Sequence, residues 1–98
     1  MVQINWTHQS IADLKDIFEY ISIDSTAYAK LQIIRIKNRT KILRSQIYSG
    51  KIVPEINKAH TRQLIEGNYR IIYKIVNPLR ADILTVHHSA RDLTNRSI

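Results

Sequence analysis

The chain has 98 residues, a length that suits one domain, and 15 Lys and Arg against 8 Asp and Glu give it a net charge of +7. It has no cysteine, which excludes a disulfide framework and suits a reducing cytoplasm; no apolar run approaches the ~20 residues of a membrane span, and "MVQINWTHQS" lacks the basic-then-apolar pattern of a secretory signal. Residues 1–24 carry Asp13, Asp16, Glu19 and Asp24 against Lys15 alone, net −3, which leaves +10 on the rest and points to an acidic partner or a polyanion.

Residues 2–6 alternate, with Val2, Ile4 and Trp6 on one face, as a short half-buried strand does. Thr7 suits a helix N-cap. Apolar residues then recur at Ile11, Leu14, Ile17, Phe18 and Ile21, which predicts a helix over 8–23 with a solvated acidic face. Asp24 or Ser25 offers the next cap, and a second helix is expected over 26–48, closed by Gly50 as a C′ residue. At about 100° per residue this helix has two apolar sides. Ala27, Leu31, Ile34 and Ile42 form one; Ala29, Ile33, Ile36, Leu43 and Ile47 form the other; the first helix is expected to cover one side and a sheet the other. Lys30, Lys37, Lys41 and Arg44 fill one gap between them, Arg35 and Arg39 the other.

Residues 50–60 read as a long loop, since Pro54 cannot sit in a central strand. Strands follow over 61–66, 68–76 and 81–88, joined at Gly67-Asn68 and Asn77-Pro78. Short turns make these three an antiparallel meander. The expected architecture is a single α+β domain over 1–98 in the order β-α-α-β-β-β, a helical hairpin on one face of a small, mainly antiparallel sheet.

The candidate chemistry is sparse. His8, His60, His87 and His88 show no metal-ligand spacing, so no metal and no cofactor are expected. Ser89 beside His88 lacks a nucleophile elbow. Metal-free RNA cleavage needs a base, an acid and cations around the phosphate. Glu55, His87 and His88 are candidate acid–base groups; Arg62, Arg70 and Arg91 are candidate cations. For Arg70 and Lys74 the plainer alternative is a solvated strand face. Alternation pairs Arg70 to Val76 with Asp82 to His88 as the polar faces of their strands, which makes His88 the expected neighbour of Arg70.

"GNYRIIYKI" followed by "ILTVHHSARDL", with "SGKIVPE" and "INWTHQSIADLKDIFEYI" upstream, resembles the RelE/ParE superfamily of toxins from type II toxin–antitoxin modules, often labelled plasmid stabilisation proteins. The likeness spans residue 2 to about 93. It implies a small cytoplasmic toxin neutralised by a cognate antitoxin through an acidic C-terminal segment. It also implies one of two targets: mRNA in the ribosome for the RelE-like branch, an endoribonuclease, or DNA gyrase for the ParE-like branch, which is not an enzyme. Arg70 falls where both branches place an arginine. The RelE-like lysines of the preceding strand would fall at Thr61 and Gln63, neither basic, and a late catalytic arginine would fall near Ser89. His88 and Arg91, followed by Asp92 and Leu93, instead match a ParE-like ending. The resemblance therefore favours the ParE-like branch, with Arg62, Arg70, Lys74, His88 and Arg91 as partner- or target-binding residues. A nuclease using Arg70, His88 and Glu55 is the alternative.

Overall fold

The computed structural model describes residues 1–89. Strand β1 (Gln3–Trp6) leads into helices α1 (His8–Ser22) and α2 (Thr26–Arg39), and a 3₁₀ turn (Thr40–Arg44) follows. Then come β2 (Lys51–Ile52), β3 (Thr61–Glu66), β4 (Tyr69–Asn77) and β5 (Arg80–His88). The sheet order is β1-β5-β4-β3-β2; β1 runs parallel to β5 and the other pairs are antiparallel. This is the expected α+β hairpin-on-sheet arrangement, with one short edge strand added inside the expected loop. β2 ends before Val53-Pro54, as the missing proline N–H requires.

Local chemistry sets the boundaries. Thr7 caps α1 by accepting from the Ser10 N–H, and its hydroxyl donates to the carbonyls of Ile83 and Leu84, so one side chain both starts the helix and ties it to β5. Ser25 caps α2 through the Tyr28 N–H. The second helix is shorter than its periodicity predicts. At Thr40 the hydroxyl turns back to the Lys37 carbonyl at 2.7 Å, and the helix tightens into the 3₁₀ turn. Gly50 therefore lies beyond any helix end and is not a C′ residue. It is needed for a close approach: a Cβ there would lie 2.6 Å from the Tyr73 hydroxyl and 2.7 Å from the Gln63 carbonyl. Gly67, at φ +57°, supplies the left-handed residue of the β3–β4 turn.

The core fills the space between helices and sheet. Ile36 and Leu43 meet Ile71, Tyr73, Ile75, Ile83 and Val86 there, each large apolar side chain contributing about 2 kcal/mol by leaving water. The Tyr73 hydroxyl is buried with both needs met, donating to the Ile47 carbonyl and accepting from the Gly50 N–H. One expectation fails. Both apolar sides of α2 were expected to be covered, but the Ala27, Leu31 and Ile34 side stays open, with Leu31 and Ile34 41% and 53% exposed. The hairpin lies as a single layer, so α1 sits beside α2 and cannot cap its outer face.

Candidate functional site at the end of the sheet

Arg70 lies on β4 and faces away from the helices. The face is built by alternation: Ile71, Tyr73 and Ile75 point into the core, so Arg70, Ile72 and Lys74 point outward. An outward arginine would normally be solvated. Here Val53 and Ile56, from the stretch after β2, cover Ile72 and Leu84 as a small second cluster. That packing brings Glu55 over Arg70. The guanidinium donates to the two Glu55 carboxylate oxygens at 2.6 and 2.9 Å, and its Nε and Nη2 donate to the Gln63 side-chain oxygen at 2.8 and 2.6 Å. The Arg70 side chain is 9% exposed, that of Glu55 27%. The hydrogen bond from Arg70 holds the Glu55 carboxyl down at about 2, with lesser help from the charges of Arg70 and His87. The same bond to Glu55 holds the guanidinium above its ordinary value. This is a fork-to-fork pair, the geometry in which arginine binds carboxylate or phosphate best.

The register overturns the expected neighbour of Arg70. It is His87, not His88, that stands across from Arg70 on β5. Ile72 pairs with Thr85 but Tyr73 pairs with Ile83, so Leu84 is an extra residue in β5. That bulge shifts the alternation by one position between Asp82, which still faces Lys74, and the histidines. His87 is 2% exposed. His88 is exposed and faces Tyr69, with the rings 5.7 Å apart in a T-shaped contact. Both histidines border a groove of about 690 Å³ between α1 and β5, with Asp16, Ile17, Tyr20 and Tyr69. Burial pushes the Tyr69 hydroxyl up, with smaller contributions from Tyr28 and Tyr20, so it stays protonated at neutral pH.

The remaining candidates are dispersed. Arg62 pairs with Tyr73 in the register and so lies on the opposite face from Arg70. Its guanidinium donates to the carbonyls of Ala59, Tyr48 and Gly50 and lies 5.2 Å from the Tyr48 ring, which ties both ends of the loop around β2 together. Lys74 is exposed on the outer face. Arg91 lies outside the described residues. Thr61 and Gln63 stand on the same face as Arg70, and Gln63 works there as a neutral acceptor for the arginine. Among the described residues no group of three or more His, Asp or Glu converges as metal ligands, and no helix is long and apolar enough to cross a membrane.

Asp13 was expected on a solvated helix face, within the stretch that carries the family likeness, yet it is 6% exposed. One carboxylate oxygen accepts from the Val86 N–H at 3.0 Å and from the Thr85 hydroxyl, the other from Gln9. It pins α1 to the part of β5 that β1 does not reach. The signal available was an acid within one turn of Ser10, Leu14 and Ile17, on the buried side of the helix.

Comparison with known proteins places this geometry. The family model described as "ParE toxin of type II toxin-antitoxin system, parDE" matches residues 4–93. A chain of the chromosomal ParDE toxin–antitoxin system from P. aeruginosa superposes with a TM-score of 0.74 at 21% identity, over 90% of this chain and 96% of that one. A chain of the toxin–antitoxin complex RelBE2 from Mycobacterium tuberculosis superposes with a TM-score of 0.52 at 20% identity, over 89% and 96%. No curated protein sequence matches.

Proposed function

We propose that this chain, which belongs to the ParE toxin family of type II toxin–antitoxin systems, is the growth-inhibiting member of such a module and acts on DNA gyrase in the cytoplasm. A cognate antitoxin is its partner in this reading, as in the toxin–antitoxin systems of the two structural neighbours.

The observation that favours gyrase over RNA cleavage is the state of Arg70. A nuclease of the RelE kind would need that guanidinium open to the scissile phosphate, with an acid–base group beside it. In this chain four N–H···O contacts already commit Arg70 to Glu55 and Gln63. The histidine across from it is buried. Glu55, with its carboxyl near 2, is a poor general base at neutral pH. The two strand positions that would carry further cations are Thr61 and Gln63. A protein that works by binding does not need these groups free. Exposed Lys74 and His88 are then the binding residues available to a target, while Arg70 shapes the surface from beneath.

Two assays on the purified toxin separate the targets. Gyrase-dependent DNA cleavage or loss of supercoiling, with translation intact, is the expected result. Cuts in mRNA within a translation reaction, with gyrase unaffected, would overturn it. In that event Arg70→Ala should slow cutting by roughly 10²-fold or more, since phosphate stabilisation would be lost. Lack of growth arrest on expression would remove the toxin reading altogether.

A further inference from the structure

The groove of about 690 Å³ between α1 and β5 carries a charge opposite to that of the whole chain. Asp13 and Asp16 line it, and among the described residues no lysine or arginine does. Asp13 is held at its floor by Val86, Thr85 and Gln9. Asp16 is exposed and forms no ion pair among the described residues. Its neighbour Lys15 is turned to the far side of α1, where it lines a different groove with Ile11 and Phe18. Its mouth is aromatic. Burial first, and then the phenols of Tyr28 and Tyr20, push the Tyr69 hydroxyl up, so one tyrosine from each of α1, α2 and β4 shares a single neighbourhood. Tyr20 stands one turn after Asp16 on the same side of α1 and is 76% exposed; Tyr28 is 50% exposed. The His88 ring meets Tyr69 in the T-shaped contact described above. Aromatic rings standing in water beside a carboxylate without a counter-ion have the composition of a protein-interface hot spot, and the faces of such rings attract cations.

We propose that this groove holds an arginine or lysine side chain of a partner protein, with the cation against the tyrosine faces and Asp16 as its counter-charge. This rests on the reading of the chain as a toxin that works by binding gyrase, and assigns the surface through which that target is engaged. The lining decides between partners. Phosphates and acidic segments meet two carboxylates and no cation here. A pocket for a small free cation would bury its rings, whereas Tyr20 and Tyr28 stand in water.

The probe is a short fluorescein-labelled peptide of arginine, leucine and glycine. Its control carries citrulline in place of arginine, which keeps the shape and removes the charge. A saturable rise in anisotropy is expected with the arginine peptide and none with the control; the chain's own +7 opposes binding elsewhere. The ring-proton resonances of His88 should shift on binding, which locates the peptide in the groove. Asp16→Asn and Tyr20→Ala should each weaken binding by about threefold or more, and together by about tenfold or more. Asp24→Asn, the same loss of charge outside the groove lining, should leave binding within about twofold. All three positions are exposed, and far-UV circular dichroism checks that each variant folds. With gyrase, the double variant should need about tenfold more toxin than the natural chain for equal DNA cleavage.

No binding of the arginine peptide, equal binding of the citrulline peptide, or the same affinity in every variant would overturn the proposal. So would free arginine amide that binds as tightly as the peptide, since the groove would then be a small-molecule site. The gyrase assay separates the two readings. If the natural chain and the double variant poison gyrase equally, the groove falls and the gyrase reading stands. If peptide binding obeys the variants while the natural chain leaves gyrase untouched, the gyrase reading alone falls.

Discussion

Strand β4 meets two different environments on its two faces. Inward, Ile71, Tyr73 and Ile75 pack against the helices, and the one polar atom among them, the Tyr73 hydroxyl, is bonded twice. Outward, Arg70 is held by a carboxylate and an amide and covered by a few residues of loop. The inner face has no slack, because close-packed side chains have nowhere to relax to. The outer face is an ion pair beside solvent, where water can replace a lost partner. The inner face should therefore govern stability and the outer face surface shape and pH response.

Five substitutions test that division, from the largest expected effect to the smallest. Ile71→Ala removes a fully buried side chain and should cost about 3 kcal/mol, read from the urea midpoint. An effect below about 1 kcal/mol would mean the core closes over the gap. Gly50→Ala drives a methyl group into the Tyr73 hydroxyl and the Gln63 carbonyl and should cost about 2–3 kcal/mol. Asp13→Ala strands the Val86 N–H and the Thr85 hydroxyl and should cost about 2 kcal/mol, with faster amide exchange at Val86. Arg70→Ala should cost only about 1 kcal/mol at neutral pH, because the Glu55 it leaves behind can turn to water. A loss matching that of Ile71→Ala would erase the contrast between the faces.

Glu55→Gln removes the charge that the pair uses at neutral pH, and its signature is in acid. The Glu55 carboxyl titrates at about 2 in the folded chain and at 4.5 unperturbed. A depressed carboxyl stabilises the fold above the unperturbed value, and that contribution is lost as pH falls through the folded one. The natural chain should therefore lose stability between pH 4.5 and about 2, and Glu55→Gln should flatten that slope. Parallel acid curves for the two proteins would show that the pair does not hold the loop.

Much of the fold was legible because it is local. Thr7 and Ser25 cap the helices as their side chains dictate, and Gly67 turns the β3–β4 hairpin because it can adopt positive φ. The core side of β4 follows from simple alternation. The ends of elements set by distant contacts were not legible. The apolar period of α2 continues past Arg39, but Thr40 and the packing of Leu43 and Ile47 end the α-helix there. Gly50 was visible as a glycine, yet its reason lies 23 residues away in Tyr73.

The candidate site divides the same way. Residue type and spacing, which are properties of the chain alone, determined the element order, the family likeness, the charge asymmetry and the choice of Arg70 as the arginine of interest. Tertiary structure decided what surrounds Arg70. The one-residue bulge at Leu84 changed its neighbour from His88 to His87, and alternation cannot reveal a bulge because it assumes there is none. The folding of Val53 and Ile56 onto Ile72 brought Glu55 to the guanidinium across 15 residues of sequence. An ion pair of that span depends on where a loop finds apolar cover, and that cover exists only once the sheet has formed.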